Sequence, residues 1–187
     1  MKVHAKFKNP IRLFGIVLLA VGMAACGGSG GVDAPASGGG TGGGSGATAL
    51  EGTWVKACGI GKGEDPTDPK AFYDVVTLKF TGSNFESDIK NYSDSGCTVP
   101  IPNVPNPTAK GSFVQGNVTM TTGGLQATEI DSHITEFNGA PFDIDDFDIF
   151  RIDGVNLYFG DISGINDGTA PALRPNTLDF NRVYMRQ

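Results

Sequence analysis

From Leu50 to Gln187 no window of eleven or more residues keeps a 3.6-residue apolar spacing, and Gly, Asp, Asn and Thr recur throughout. A helical core is therefore excluded, and short strands joined by turns are what remain. Gly52 to Cys58 reads as the first strand, followed by a polar loop with Asp65, Pro66, Asp68 and Pro69. Phe72 to Phe80 comes next, with Phe72, Val76, Leu78 and Phe80 on one face, and turns through Thr81, Gly82 and Ser83 into Phe85 to Tyr92. In that partner Phe85 and Ile89 point one way while Glu86, Asp88 and Lys90 point the other, the alternation of an antiparallel strand with one solvated face.

Cys97 to Pro107 holds Pro100, Pro102, Pro105 and Pro107. Proline cannot donate to a ladder, so this is an extended loop. Strands resume at Gly111 to Gln115 and Asn117 to Thr122, with Gly116 as the turn, and again at Ala127 to Phe137. Phe147 to Ile152 and Val155 to Phe159 flank Asp153-Gly154, a dipeptide that favours a type I′ hairpin. Leu178 to Arg186 closes the chain. A series of about eight strands, mostly hairpin-connected, is most economically closed as an all-β, antiparallel up-and-down barrel, because closure removes exposed edges.

The first fifty residues follow another logic. Lys2, Lys6, Lys8 and Arg12 precede the apolar run Leu13 to Ala25, with no acidic residue before Asp33, which is the layout of a secretory signal. The run is shorter than the roughly 20 apolar residues a membrane span needs. With Ala24, Ala25 and Cys26 it resembles the processing and acylation signal of bacterial lipoproteins, Met23 standing where Leu is usual. The resemblance implies removal of residues 1–25 and lipidation of Cys26, each buried acyl CH₂ contributing about 0.8 kcal/mol of membrane affinity. The alternative is a plain cleaved signal with a free Cys26. Acylation has the advantage of leaving Cys58 and Cys97 as an even pair in an exported chain. Gly27 is not the Asp that marks inner-membrane retention in enterobacterial lipoproteins, so the resemblance favours the outer membrane of the cell envelope.

Gly27 to Ala49 carries eleven glycines and no apolar periodicity. Such a stretch buries too little surface to offset its ordering entropy, and reads as a flexible tether with a stretched reach of about 75 Å. The chain thus divides into a signal peptide at 1–25, a lipidated Cys and Gly/Ser-rich tether at 26–49, and one barrel domain at 50–187. Without the leader, ten Lys and Arg face all twenty Asp and Glu, a net charge of −10. Nucleic acid and anionic lipid are poor partners for such a chain, because both are bound through Lys and Arg.

Cys58 ends the first strand and Cys97 follows the third, and an exported chain meets oxidising conditions, so a disulfide between them is expected. A reactive or metal-binding pair is the alternative, without a His or further Cys nearby in sequence.

Gly52, Thr53 and Trp54 in a first strand resemble the Gly-x-Trp signature of lipocalins. In that family the Trp packs at the closed barrel end beneath a basic residue from near the C-terminus, a role that pairs Trp54 here with Arg182 or Arg186. Together with Cys58, Leu78-x-Phe80-x-Gly82 followed by Phe85, and Tyr92-Ser93-Asp94-x-x-Cys97-Thr98, the chain resembles a group of small bacterial lipoproteins with lipocalin-like barrels and no assigned function. The resemblance implies a fold and carries over no catalytic residue.

Candidate chemistry is sparse. His133 is the one histidine after the leader and reads as a solvated strand residue rather than a general base. Asp143, Asp145, Asp146 and Asp148 form the densest acidic cluster, but the carboxylate spacing and closing Glu of a calcium loop are absent, so a solvated loop and strand face is expected. There is no Ser in a nucleophile elbow. The expectation is therefore a non-enzyme without cofactor or metal. Barrels of this size just hold one small ligand, so an interior lined by Phe80, Phe85 and Leu157 is expected to bind a small apolar or amphipathic molecule. The alternative is an envelope interaction module, an inhibitor or assembly accessory, that fills its barrel with its own side chains and touches a protein through Val99 to Pro107 or the acidic cluster.

Overall fold

The computed structural model describes residues 48–62, 64, 67, 68, 70–102 and 106–187. The expected signal peptide, Cys26 and the expected tether up to residue 47 lie outside these. Eight antiparallel strands close into a barrel in sequence order: β1 Gly52–Ile60, β2 Tyr73–Thr81, β3 Asn84–Tyr92, β4 Thr108–Met120, β5 Gln126–Phe137, β6 Ala140–Asp153, β7 Asn156–Phe159 and β8 Tyr184–Arg186. β8 returns to pair with β1, Trp54 opposite Arg186 and Lys56 opposite Tyr184. The period-two alternation carries the interior: Val76, Leu78 and Phe80 of β2 and Phe85 and Ile89 of β3 all face one apolar core, while Glu86 and Lys90 stay exposed.

Four segments depart from the sequence-based expectation, the first being Leu178 to Arg186, of which only Tyr184–Arg186 is a strand. Gly116 is not a turn. β4 runs straight through it, because β5 offers a continuous partner, and the irregularity between Gln115 and Val118 is a bulge. A Cβ at Gly116 would lie 2.9 Å from the Glu129 side chain, so the bulge needs glycine there. The acidic stretch is not a loop either. Asn138 and Gly139 both take left-handed φ, 52° and 77°, the two central residues of a tight hairpin, and so place Ala140 opposite Phe137 and start β6 there. At Asp153-Gly154 the turn lies one residue further on: Asp153 pairs with Asn156, and Gly154, with φ 61°, takes the first central position.

Hairpin connectivity sorts the loops between the two ends of the barrel. The start of β1, the β2–β3, β4–β5 and β6–β7 turns and the end of β8 share what we term the lower end; the other connections form the upper end. β7 and β8 are short, so β6 meets β7 only over Phe150–Asp153 and β1 meets β8 only over Trp54–Lys56. Residues 160–183 fill the wall above them. Gly160 bridges Leu178, Asp161 N–H donates to Thr177, and Phe147 N–H donates to Gly168. Under this segment Ile149 packs with Ala127 and Leu178 as a small second core on the outer face.

Candidate functional site

The three residues expected to line a ligand cavity are packed into the core. Phe80, Phe85 and Leu157 are 1%, 1% and 0% exposed and belong to one cluster with Trp54, Leu78, Ile134 and Phe150. Phe80 meets Phe113 edge to face at 5.3 Å. A side chain lining a ligand-sized space keeps surface that water can reach, and these three keep almost none. A depression of about 210 Å³ lies instead outside the barrel, where Met120, Glu129 and Arg174 line it. It is smaller than the ~300–1,000 Å³ usual for ligand pockets.

The lower end is sealed by Trp54. Its indole N–H donates to the Leu50 carbonyl at 2.7 Å, and the guanidinium of Arg186 lies 4.5 Å from its ring. Arg182 does not take that place. It precedes β8, whereas Arg186 stands directly opposite Trp54 in the β1–β8 ladder, and Arg182 reaches the upper end to bind Asp74 at 3.2 Å.

That upper end holds a cluster of buried charges that sequence reasoning missed. Lys56 Nζ donates to the Asp74 carboxylate at 2.5 Å and to the Asp74 carbonyl at 3.0 Å, and Arg182 binds the other carboxylate oxygen of Asp74. Burial pushes the Lys56 ammonium pKa down, against the attraction of Asp74. Tyr184 is buried beside Arg182, and burial raises its phenol. Across the gap stand Asp146 and Asp148, 2% and 1% exposed, on the inward face of β6. Asp148 Oδ1 accepts from the N–H groups of Ile149 at 2.7 Å and Gly160 at 3.0 Å, while its Oδ2 finds no partner among the described residues. Burial pushes its pKa up to about 7, although Lys62, the two N–H groups and Arg174 pull the other way. Burial likewise depresses Lys62, against the attraction of Asp148. The cluster fills the barrel mouth with charged side chains, and Asp148 is a carboxyl in it that titrates near neutrality.

The strand alternation splits the acidic run that composition groups together. Asp146 and Asp148 point inward; Asp143 and Asp145 point outward to His133, at 3.8 and 2.8 Å. Among the described residues no group of three or more His, Cys, Asp or Glu is placed to hold a metal ion.

Cys58 and Cys97 form the expected disulfide, with Cα atoms 5.7 Å apart. It pins the β3–β4 loop against the end of β1. Within that loop Asp94 accepts from the N–H groups of Gly96, Thr98 and Val99 and from the Thr98 hydroxyl, and the bond from Val99 leads in holding its carboxyl below the usual range. Tyr92 bridges Pro100, and Ser93 N–H donates to Val99. Ser93 to Pro100 is thus pre-shaped, with Val99 53% exposed at its surface, while residues 103–105 of the expected Val99 to Pro107 surface lie outside the described residues. No protein-family model matches the chain, and no curated protein matches it in sequence.

Proposed function

We propose that this protein is an exported lipoprotein, anchored through Cys26 at the cell envelope, whose barrel is a rigid scaffold for binding another envelope protein rather than a carrier of a small ligand. The observation that carries this choice is the near-zero exposure of Phe80, Phe85 and Leu157 within one packed cluster. Trp54 with Arg186 at the lower end, and the Lys56–Asp74–Arg182 group at the upper end, support it by leaving little way in. The favoured contact surface is the Ser93 to Pro100 part of the β3–β4 loop around Val99, because a segment ordered in advance by a disulfide and by Asp94 loses little entropy on binding. An acidic chain bearing such a loop suits a partner with a basic or neutral docking face.

Native mass spectrometry of the mature Cys26→Ala chain, purified without detergent, tests the choice. The expected result is a bare mass consistent with one disulfide. A reproducible adduct that is lost on denaturation would restore the ligand carrier. The anchor is tested separately: Cys26→Ala is expected to move the protein from membrane to soluble fractions, and unchanged partitioning would remove the lipoprotein reading.

A further inference from the structure

We infer that the lower end of the barrel docks on the surface of a zwitterionic lipid bilayer, its β4–β5 and β6–β7 turns dipping apolar side chains into the interface. The inference rests on the anchored reading above only in supplying a membrane close by. The geometry comes from the barrel. Strand alternation puts the start of β1, and with it the chain arriving from Cys26, on the same end as the β2–β3, β4–β5 and β6–β7 turns. Ala49 is fixed there by the Arg186 guanidinium, which donates to its carbonyl at 2.7 Å.

That end is apolar where a soluble surface is usually charged. Val118 and Met120 of β4 are 65% and 58% exposed, Leu125 of the following turn 36%, and Val155 of the β6–β7 turn 61%. The upper-end connections expose apolar side chains too, Val99 in the β3–β4 loop and Ile165, Leu173 and Phe180 between β7 and β8, but the latter are interspersed with Asp161, Asp167, Arg174, Asp179 and Arg182. Charge follows the same division. Gly111 to Thr128 contains no charged residue, nor do Thr81 to Asn84 or Gly154-Val155. Of the charges at the lower rim, Glu51 is engaged by the Gly82 N–H and Arg186 by Trp54 and Ala49, while Asp153 stands exposed beside the β6–β7 turn. The β1–β2 loop at the other end carries Lys62, Glu64, Asp68 and Lys70.

An apolar-tipped end with few charges, on a chain that carries −10 without its leader, selects its partner. A strongly anionic membrane would repel the domain as a whole, while a zwitterionic surface accepts Met, Leu and Val at its headgroup boundary without that penalty. Weak affinity suffices, because a short tether holds the domain near lipid at an effective concentration on the order of millimolar. Docked this way, the barrel stands end-on and turns its β3–β4 loop away from the membrane.

Hydrogen exchange of the mature Cys26→Ala chain, with and without phosphatidylcholine vesicles at about 10 mM lipid to match the tethered concentration, tests docking independently of lipidation. Amides of Thr119 to Leu125 and of Val155 and Asn156 are expected to exchange about threefold or more slowly with vesicles, with no change at Val99. Met120→Glu/Val155→Glu, on two exposed sites, is expected to abolish this protection at unchanged melting temperature; Leu125→Lys serves as a second variant in an exposed turn. Rates that vesicles leave unchanged, protection at the upper loops instead, or protection that survives these substitutions would overturn the inference. Failure of the anchored reading would appear elsewhere, in the cellular fractionation of Cys26→Ala.

Discussion

Asp148 shows how one buried side chain ties stability to pH. Its native pKa of about 7 lies above the ordinary 3.8, so between roughly pH 4 and 7 the native state binds more protons than the unfolded one. Stability therefore falls as pH rises through that window and levels off above it. Asp148→Asn keeps an oxygen to accept the Ile149 and Gly160 N–H groups and removes the titration. Thermal unfolding at pH 4.5 and pH 8 is expected to show the wild type losing stability on the order of 3 kcal/mol across the window, and the variant nearly none. The two arginines once interchangeable in sequence separate in the same way. Removing Arg182 leaves Asp74, 2% exposed, with only Lys56, so Arg182→Ala is expected to cost about 3 kcal/mol in denaturant unfolding. Arg186 stacks on Trp54 from an exposed position, and Arg186→Ala is expected to cost about 1 kcal/mol. Neither contrast is legible in the chain, because both depend on where β8 begins.

At the scale of elements, short-range signals were readable where they were local and complete. The Phe85 to Tyr92 alternation needs only its own residues, and β3 has the faces it indicates. Asn138-Gly139 is an equally local hairpin signal, and reading it would have started β6 at Ala140 and put Asp146 and Asp148 indoors by counting in twos from Phe150. Gly116 was not recoverable this way: a glycine at a bulge and one at a turn look alike until the partner strand is known. The disulfide was legible from compartment and position. Cys58 and Cys97 lie 39 residues apart, and closing such a loop stabilises the fold by about 4 kcal/mol in the chain-entropy model. Cys58→Ser/Cys97→Ser is expected to lower stability by up to that amount. Its exchange losses should concentrate in Ser93 to Pro102, because the bond pins that loop to β1.

For the molecule as a whole, closure decides what the interior is for. Phe85 is fully buried among Trp54, Leu78 and Phe80, so Phe85→Ala is expected to cost about 3–5 kcal/mol and to leave a cavity. A small aromatic such as benzene should then raise the melting temperature of the variant and leave the wild type unaffected. A thermal shift of similar size in the wild type would mean that the core is already open. End-on docking belongs to this scale too, since no single turn makes an apolar surface; the surface exists because an up-and-down barrel gathers alternate turns at one end.

Local signals in the chain carried the all-β class, the up-and-down order, the inward row of β3, that of β2 from Val76 to Phe80 though not at Phe72, and the Cys58–Cys97 pair, because each rests on neighbours in the chain or on the parity of a strand. What closure settled is that the core around Phe80, Phe85 and Leu157 is packed, that Arg186 rather than Arg182 covers Trp54, and that Lys56, Asp74 and Arg182 meet in one buried group. These depend on register between strands far apart in sequence. A side chain's burial is set by what closure brings opposite it, and alternation within one strand carries no record of that.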